Sequence, residues 1–247
     1  MTPRRCLLLL LALLVSVHLS ACGGGGKIQL RYPGETLVFP HLGDQAPRLY
    51  IDLVNDLRPA SQRAGHGTFS TIRFPADDAW DAPVNQIYFQ ALVQDLTQTN
   101  LVELVPMRSQ ADYILEIDLE HLACRVSRSG AAYFMTALGG AGFGWLLGQS
   151  PGAAVVGAVV GLGAIPVPTR IRAVSQVKLR VYDSEGDLFF EQTCLGERTR
   201  DVWEGLTSRK DQQWVDEYLT VAIKRCNACL LGQLRQAMVE AGERWQP

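Results

Sequence analysis

A chain of 247 residues, 47% apolar and 19% charged, holds material for one compact domain with tethers, or at most two small domains. A formal charge of −2 and a pI near 6.1, with no run of Lys or Arg, exclude the phosphate-neutralising stripe that polyanion binding needs, so no nucleic-acid partner is expected. The apolar share and 8% aromatic residues exclude a disordered chain.

Arg4 and Arg5 precede an unbroken apolar run from Cys6 to Val15, and small residues follow at Ser20 and Ala21, the order of a secretory signal peptide. The apolar run is too short to span a bilayer stably. Leu19-Ser20-Ala21-Cys22 resembles the lipobox of bacterial lipoproteins, in which the cysteine is acylated and becomes the first mature residue. That resemblance implies a signal peptide over 1–21 and a palmitate-type anchor on Cys22. Each buried methylene contributes about 0.8 kcal/mol, so several acyl chains would hold the protein durably to a membrane. Gly23 to Gly26 read as a flexible tether within 22–45. Gly rather than Asp after the cysteine resembles lipoproteins sent to the outer membrane. Removal of Arg4 and Arg5 leaves 21 basic against 25 acidic side chains, an ordinary soluble surface.

Leu49 to Leu53 reads as a strand ending in the turn formers Asn55, Asp56 and Pro59, with a short strand at Phe69 to Phe74 beyond a polar loop. Asp81 is placed to cap a helix with Pro83 in its first turn, and Val84, Ile87, Tyr88, Ala91 and Leu92 line one face of it. Asn100 ends that helix, and Leu101 to Val105 is a short strand. Tyr113, Leu115, Ile117 and Leu119 alternate with Glu116, Asp118 and Glu120, while Val177, Leu179 and Val181 alternate with Lys178, Arg180 and Tyr182. Antiparallel pairing of these strands would set acids opposite bases, a few tenths of a kcal/mol per pair. Asp183 to Asp187 is a hairpin turn into a strand over Leu188 to Gly196. A last helix, from about Gln212 to Ala241, carries Val215, Leu219, Ala222, Cys226, Leu230 and Leu234 on one side. The expected fold is α+β: a largely antiparallel sheet with two helices on one face, formed by 46–128 and 169–242.

This order of parts, with the Asp56-x-Arg58 turn, the Ala111-Asp112-Tyr113 strand opening, the charged hairpin and the long terminal helix, resembles the YajG-like envelope lipoproteins over about residues 45–240. More loosely it resembles auxiliary lipoproteins of envelope transporters and the curli-secretion lipoprotein. The resemblance implies a fold and a location, and it carries over no catalytic residue.

Residues 129–168 interrupt that plan. Between Arg128 and Arg170 there is no charged side chain. The first arm, Ala132 to Gly148, spaces Thr136, Gly140, Gly144 and Gly148 by four, and the second, Gly152 to Ile165, does so with Ala153, Gly157 and Gly161. Small residues at that spacing cut a groove that lets another helix approach closely, so an inserted apolar, glycine-zipper helical hairpin is expected. Each helical glycine costs about 1 kcal/mol relative to Ala in water, so something must stabilise the hairpin. Membrane insertion, self-association and burial in the parent domain are the three choices. At 1.5 Å per residue the arms reach about 25 and 21 Å, short of about 30 Å of hydrocarbon. Arg125, Arg128, Arg170 and Arg172 bracket the insertion, where snorkelling cations would sit.

With Cys6 cleaved away and Cys22 acylated, Cys124, Cys194, Cys226 and Cys229 form an even set suited to two disulfides in an oxidising compartment. Cys194 points toward the terminal helix, which favours a bridge to Cys226 or Cys229. Cys226-Asn227-Ala228-Cys229 has redox-dithiol spacing but lies inside a helix rather than at its N-terminus, and no second pair completes a metal site. His41, His66 and His121 share no motif with a nucleophile, so no catalytic residue, metal or cofactor is expected. Asp56 and Arg58 read as a structural turn more than as a binding feature. The expectation is a non-enzymatic outer-membrane scaffold, facing the periplasm, that inserts or forms a homo-oligomer through the hairpin. The alternative is an auxiliary binding subunit of an envelope transport complex.

Overall fold

The computed structural model describes residues 27, 30–40, 46–64, 67–68, 71–74, 76–164, 166–204 and 208–244; the expected signal peptide over 1–21, Cys22, His41 and His66 lie outside them. Three long strands form an antiparallel meander: β5 (Tyr113–Arg128), β6 (Val167–Asp183) and β7 (Leu188–Glu204). Leu119 faces Val177, and Val177 in turn faces Cys194. The alternating residues of β5 and β6 pair antiparallel as the charge pattern requires, with Arg180 Nη2 2.6 Å from Asp118 and 3.7 Å from Glu116, while Lys178 turns to Glu191 of β7 at 2.8 Å. At the β6–β7 turn, Asp183 Oδ1 accepts from the Glu185 and Asp187 amides, both at 2.9 Å, and Gly186 takes φ +93°.

The other edge of β5 serves two partners. Its first half takes β1 (Arg48–Asp56) in parallel, Leu49 facing Tyr113 and Asp56 facing Leu119, and β4 (Glu103–Leu104) lies parallel on β1. Its second half takes β3 (Thr71–Phe74) antiparallel, with β2 (Gly67–Thr68) beyond. The sheet is therefore mixed rather than largely antiparallel. The physical reason is the crossover through α2 (Val84–Thr99), which carries the chain back so that β4 enters beside β1 in the same direction. Between the two halves the short α1 (Ala60–Arg63) plugs the edge, and Gln62 Oε1 accepts from the Leu122 amide at 3.3 Å.

Both long body helices pack on one face. In α2 the buried stripe is Val84, Ile87, Tyr88, Ala91 and Leu92, as the periodicity demands, and Asn100 closes it in the left-handed region at φ 49°. Asp81 does not cap it: Pro83 is the N-cap and no side chain bonds there. In α5 (Ser208–Arg244), Val215, Leu219, Ala222, Cys226, Leu230 and Leu234 are all fully buried. The helix crosses β7 at Gly196, where a Cβ would stand 1.9 Å from the Ala222 carbonyl oxygen. Only a glycine permits that approach.

Candidate functional site

From the base of the β5–β6 ladder rise α3 (Gly130–Gly148) and α4 (Pro151–Ala164). Ser129 caps α3 by accepting from the Ala132 amide at 3.3 Å, and Gln149 ends it at φ 44° with its amide on the Trp145 carbonyl at 2.7 Å. Ser150 accepts from the Ala153 amide at 3.2 Å and Pro151 opens α4, where its missing N–H costs nothing. The two helices meet antiparallel along a seam of small residues. A Cβ at Gly140 would lie 2.2 Å from the Gly157 carbonyl oxygen, and at Gly144 2.2 Å from that of Ala153. At Gly161 it would lie 2.5 Å from the Thr136 oxygen, and at Gly148 2.3 Å from the Ala153 Cβ. The structure thus places Thr136, Gly140, Gly144, Gly148, Ala153, Gly157 and Gly161 together, facing one another across the pair.

With the small residues turned inward, the large ones face out. Phe134, Met135, Phe143, Leu146 and Leu147 are 65–75% exposed, and Leu138, Trp145, Val155, Val156, Val159 and Val160 are about half exposed. Burial within the parent domain is therefore not what holds this pair. Transferring the exposed half of each large side chain to an apolar medium is worth about 1 kcal/mol, so the eleven together represent roughly 10 kcal/mol. No helix among the described residues is long and apolar enough to cross a membrane. Of the four flanking arginines, Arg125 is exposed, and the other three are not free cations. Arg170 bonds Asp201 at 2.8 and 3.2 Å, Arg172 bonds Glu197 at 2.8 and 3.0 Å, and Arg128 is buried.

The sequence reading missed a second feature, a buried polar lock between α2, α5 and the N-terminal strap at 30–40. Asp95, fully buried, takes the Lys224 ammonium and the Tyr32 hydroxyl, and accepts from Asn227 Nδ2 at 2.8 Å. Tyr88 donates to Asn227 Oδ1 at 2.6 Å, and the Lys224 nitrogen sits 5.0 Å above the Tyr32 ring. Burial, reinforced by the Asp95 carboxylate, pushes the Tyr32 hydroxyl far above the ordinary tyrosine range. Along the strap, the Arg31 amide donates to Asp216 at 2.8 Å, Gln94 to the Pro33 carbonyl at 3.2 Å and Arg235 to the Pro40 carbonyl at 2.8 Å. Asp95 extends the apolar stripe of α2 by one turn from Ala91; a carboxylate on that stripe was the available signal.

Cys194 and Cys229 form a disulfide with Cα atoms 6.0 Å apart, while Cys124 and Cys226 are buried thiols outside it, so one bridge forms where two were expected. Burial pushes the Cys226 thiol up to about 12, the opposite of a reactive dithiol, and its CxxC partner is bonded elsewhere. Arg58 holds Asp56 in a two-toothed pair at 2.8 Å from each oxygen and also reaches Asp77 at 2.6 Å, its side chain 1% exposed. This is a buried structural turn, bordering a cavity of about 490 Å³ whose lining charges balance among Lys27, Arg58, Arg63 and the aspartates 56, 77 and 81. Burial opposes ionisation of Asp56, but the Arg58 bonds outweigh it and hold the carboxyl below its usual range. His121 pairs with Gln62 at 2.7 Å, and no cluster among the described residues suits a metal ion.

No protein-family model matches the chain, and neither does any curated protein. Among solved structures it is similar to protein XCC0632 of Xanthomonas campestris, of the DUF330 family, at 13% identity and TM-score 0.40, covering 88% of this chain and 94% of that one. The hypothetical protein CT253 of Chlamydia trachomatis matches at 6% identity and TM-score 0.39, covering 78% and 98%. A minor lipoprotein of Acinetobacter baumannii matches at 11% and 0.34, covering 79% and 94%. These likenesses assign neither family nor activity.

Proposed function

We propose that the protein is a lipid-anchored lipoprotein of the outer membrane, its domain facing the periplasm, that acts as a non-enzymatic envelope scaffold and inserts or self-associates through the α3–α4 arm. The observation that carries the reading is the arm's inversion: small residues inside, large apolar residues outside, and no charge from 129 to 169. An apolar patch of this extent on a protein surface marks a membrane or protein contact. The Leu-Ser-Ala-Cys sequence at 19–22 supports the acyl anchor.

The test separates arm from anchor. Arg128 faces Thr169 across the ladder, so residues 129–168 are replaceable by a two-residue Asn-Gly turn that keeps the sheet register. A mature Cys22→Ser protein is expected to float with vesicles or to run as an oligomer with the arm present, and to become a soluble monomer without it. Monomeric, unbound behaviour in both forms refutes the scaffold. Native-membrane capture that yields a stoichiometric permease partner, with the arm dispensable, favours the auxiliary role instead.

A further inference from the structure

A nearly neutral chain hides a separation of charge along the meander. Leu122, Ser175 and Gly196 stand in one line across β5, β6 and β7, dividing the strands into a half that ends at the arm and a half that ends at the Asp183–Asp187 turn. The arm half carries six arginines, Arg125, Arg128, Arg170, Arg172, Arg198 and Arg200, against three acids. The turn half, turn included, carries Lys178 and Arg180 against seven acids. Neighbouring elements leave the arm half's surplus unchanged: Arg73 of β3 adds one charge, and α5 from Ser208 to Val221, with Arg209 and Lys210 against three acids, removes one. No run of Lys or Arg announces this surplus, because the ladder gathers it from separate strands.

Within that half, cations are set against cations. Arg125 faces Arg172 of β6 on one side, and its Cα pairs with that of Arg73 of β3 on the other. Like charges directly opposite on adjacent strands oppose folding. Arg172 is relieved by Glu197 at 2.8 and 3.0 Å, whereas Arg125 is exposed and has no ion pair among the described residues. A local rule broken without compensation inside the chain marks a place where function sets the residue. A ligand of negative charge would supply the missing compensation.

The levels along the strands say which ligand. First comes the arm, without charge from 129 to 169; then Trp203, facing Pro168 and 72% exposed; then the arginines. Apolar surface, indole and cation follow one another as acyl chain, interface and headgroup do in a bilayer. At about 3.3 Å per strand residue, Arg170 lies about 10 Å below Val167 and Arg125 about 13 Å below Ser129. A headgroup layer is about 5–8 Å deep, and a long arginine side chain crosses the rest. The acids of the turn half begin at Glu120, about 30 Å from the arm, several times the screening length of about 8 Å. They leave the attraction intact.

We propose that the arm end of the domain is a binding surface for anionic phospholipid, with Arg125 as its free cation and Arg170 and Arg172 beside it. This rests on the membrane branch of the reading above and adds the lipid class. A guanidinium presents paired N–H donors that match phosphate oxygens, so the row suits a headgroup layer of surplus negative charge. The same polarity orients the body, its acidic turn held away from the bilayer.

The test is flotation of the mature Cys22→Ser protein with vesicles of phosphatidylcholine alone or of phosphatidylcholine and phosphatidylglycerol. One cation near an anionic surface is worth about fivefold in partitioning. Binding to the phosphatidylglycerol vesicles is expected to be tighter by about fivefold or more, and the preference should vanish when salt rises from about 0.1 M to about 1 M, which cuts the screening length from about 10 to about 3 Å. Arg125→Gln should remove about fivefold of the preference and leave binding to phosphatidylcholine alone unchanged. Lys178→Gln deletes the same charge about 36 Å from the arm and should leave the preference whole. Equal binding of wild type to the two vesicles overturns the proposal while a membrane-inserting arm stands, and this comparison needs no variant to fold. Equal losses in Arg125→Gln and Lys178→Gln reduce the effect to net charge and overturn it as well. Binding to neither vesicle refutes the surface together with its membrane premise.

Discussion

The seam between α3 and α4 makes a sharp demand on glycine. A Cβ added at Gly157 would sit 2.1 Å from the Gly140 carbonyl oxygen and 2.8 Å from the Gly144 Cα, both backbone atoms that no rotamer change can move. Restoring ordinary contact needs the helices to part by about 1 Å, and a gap of that size forfeits roughly a quarter to a half of the dispersion attraction across it. Gly142 is the control, because a Cβ there meets nothing within 4 Å. Gly157→Ala and Gly142→Ala gain the same helix propensity, about 1 kcal/mol. Their difference therefore isolates the seam, and overpacking costs about 1–3 kcal/mol. Amide hydrogen exchange over residues 130–164 in micelles is the assay. Protection in Gly157→Ala is expected to fall about 5- to 150-fold below that in Gly142→Ala. Equal protection in the two variants would refute close packing and with it the inward turn of the small residues.

Further outcomes follow from the body. Asp95→Ala leaves the Lys224 ammonium without its carboxylate and should destabilise the domain by about 3–5 kcal/mol in urea titration, whereas Tyr32→Phe should cost less in stability yet speed proteolysis of the strap. Because the folded state holds Tyr32 neutral far above its usual range, the stability it lends is whole below about pH 10 and drains as pH rises beyond it; Tyr88 and Cys226, also raised by burial, drain in the same direction, so strap proteolysis in wild type against Tyr32→Phe is the discriminating measurement. The lowered Asp56 gives the opposite slope: its contribution is present above about pH 4 and lost as pH falls through the folded value, and Asp56→Asn should flatten that acid limb. Cys194→Ser opens a loop of 35 residues and should lower stability by about 3–4 kcal/mol, read as a fall in the urea midpoint.

What the sequence carried was mostly local. Alternation along Tyr113 to Leu119 and Val177 to Val181 announced one wet and one dry face, and the opposed charges picked the partner, because both signals reside in adjacent residues. The stripe from Val215 to Leu234 did the same for α5. The placement of β1 was hidden, since alternation looks alike in parallel and antiparallel strands and the choice depends on the long crossover between Asp56 and Glu103. The lock at Asp95 was hidden for a related reason. Its members, Tyr32, Tyr88, Lys224 and Asn227, come from three distant segments, and Tyr88 alone reads as one more apolar-face residue, with nothing in its neighbours to name a partner. The four-residue spacing of glycines was plain, but spacing alone cannot say which helix answers it.

That last ambiguity bears on how the molecule is built. A groove of small residues is spent once: if Gly140, Gly144 and Gly157 face each other within one chain, they cannot also receive a sibling arm at the same contact. What remains for any outside partner is a surface of Phe, Leu, Met and Val with the Trp145 indole as its one large side chain bearing a donor. Such a surface discriminates poorly among protein partners, since specificity comes from unpaired polar groups that penalise the wrong one. It suits a partner that is itself unspecific and apolar. Body and arm thus turn their Leu and Val in opposite directions, inward in the body and outward in the arm, and the change occurs at Ser129 and Val167, where the β5–β6 ladder ends.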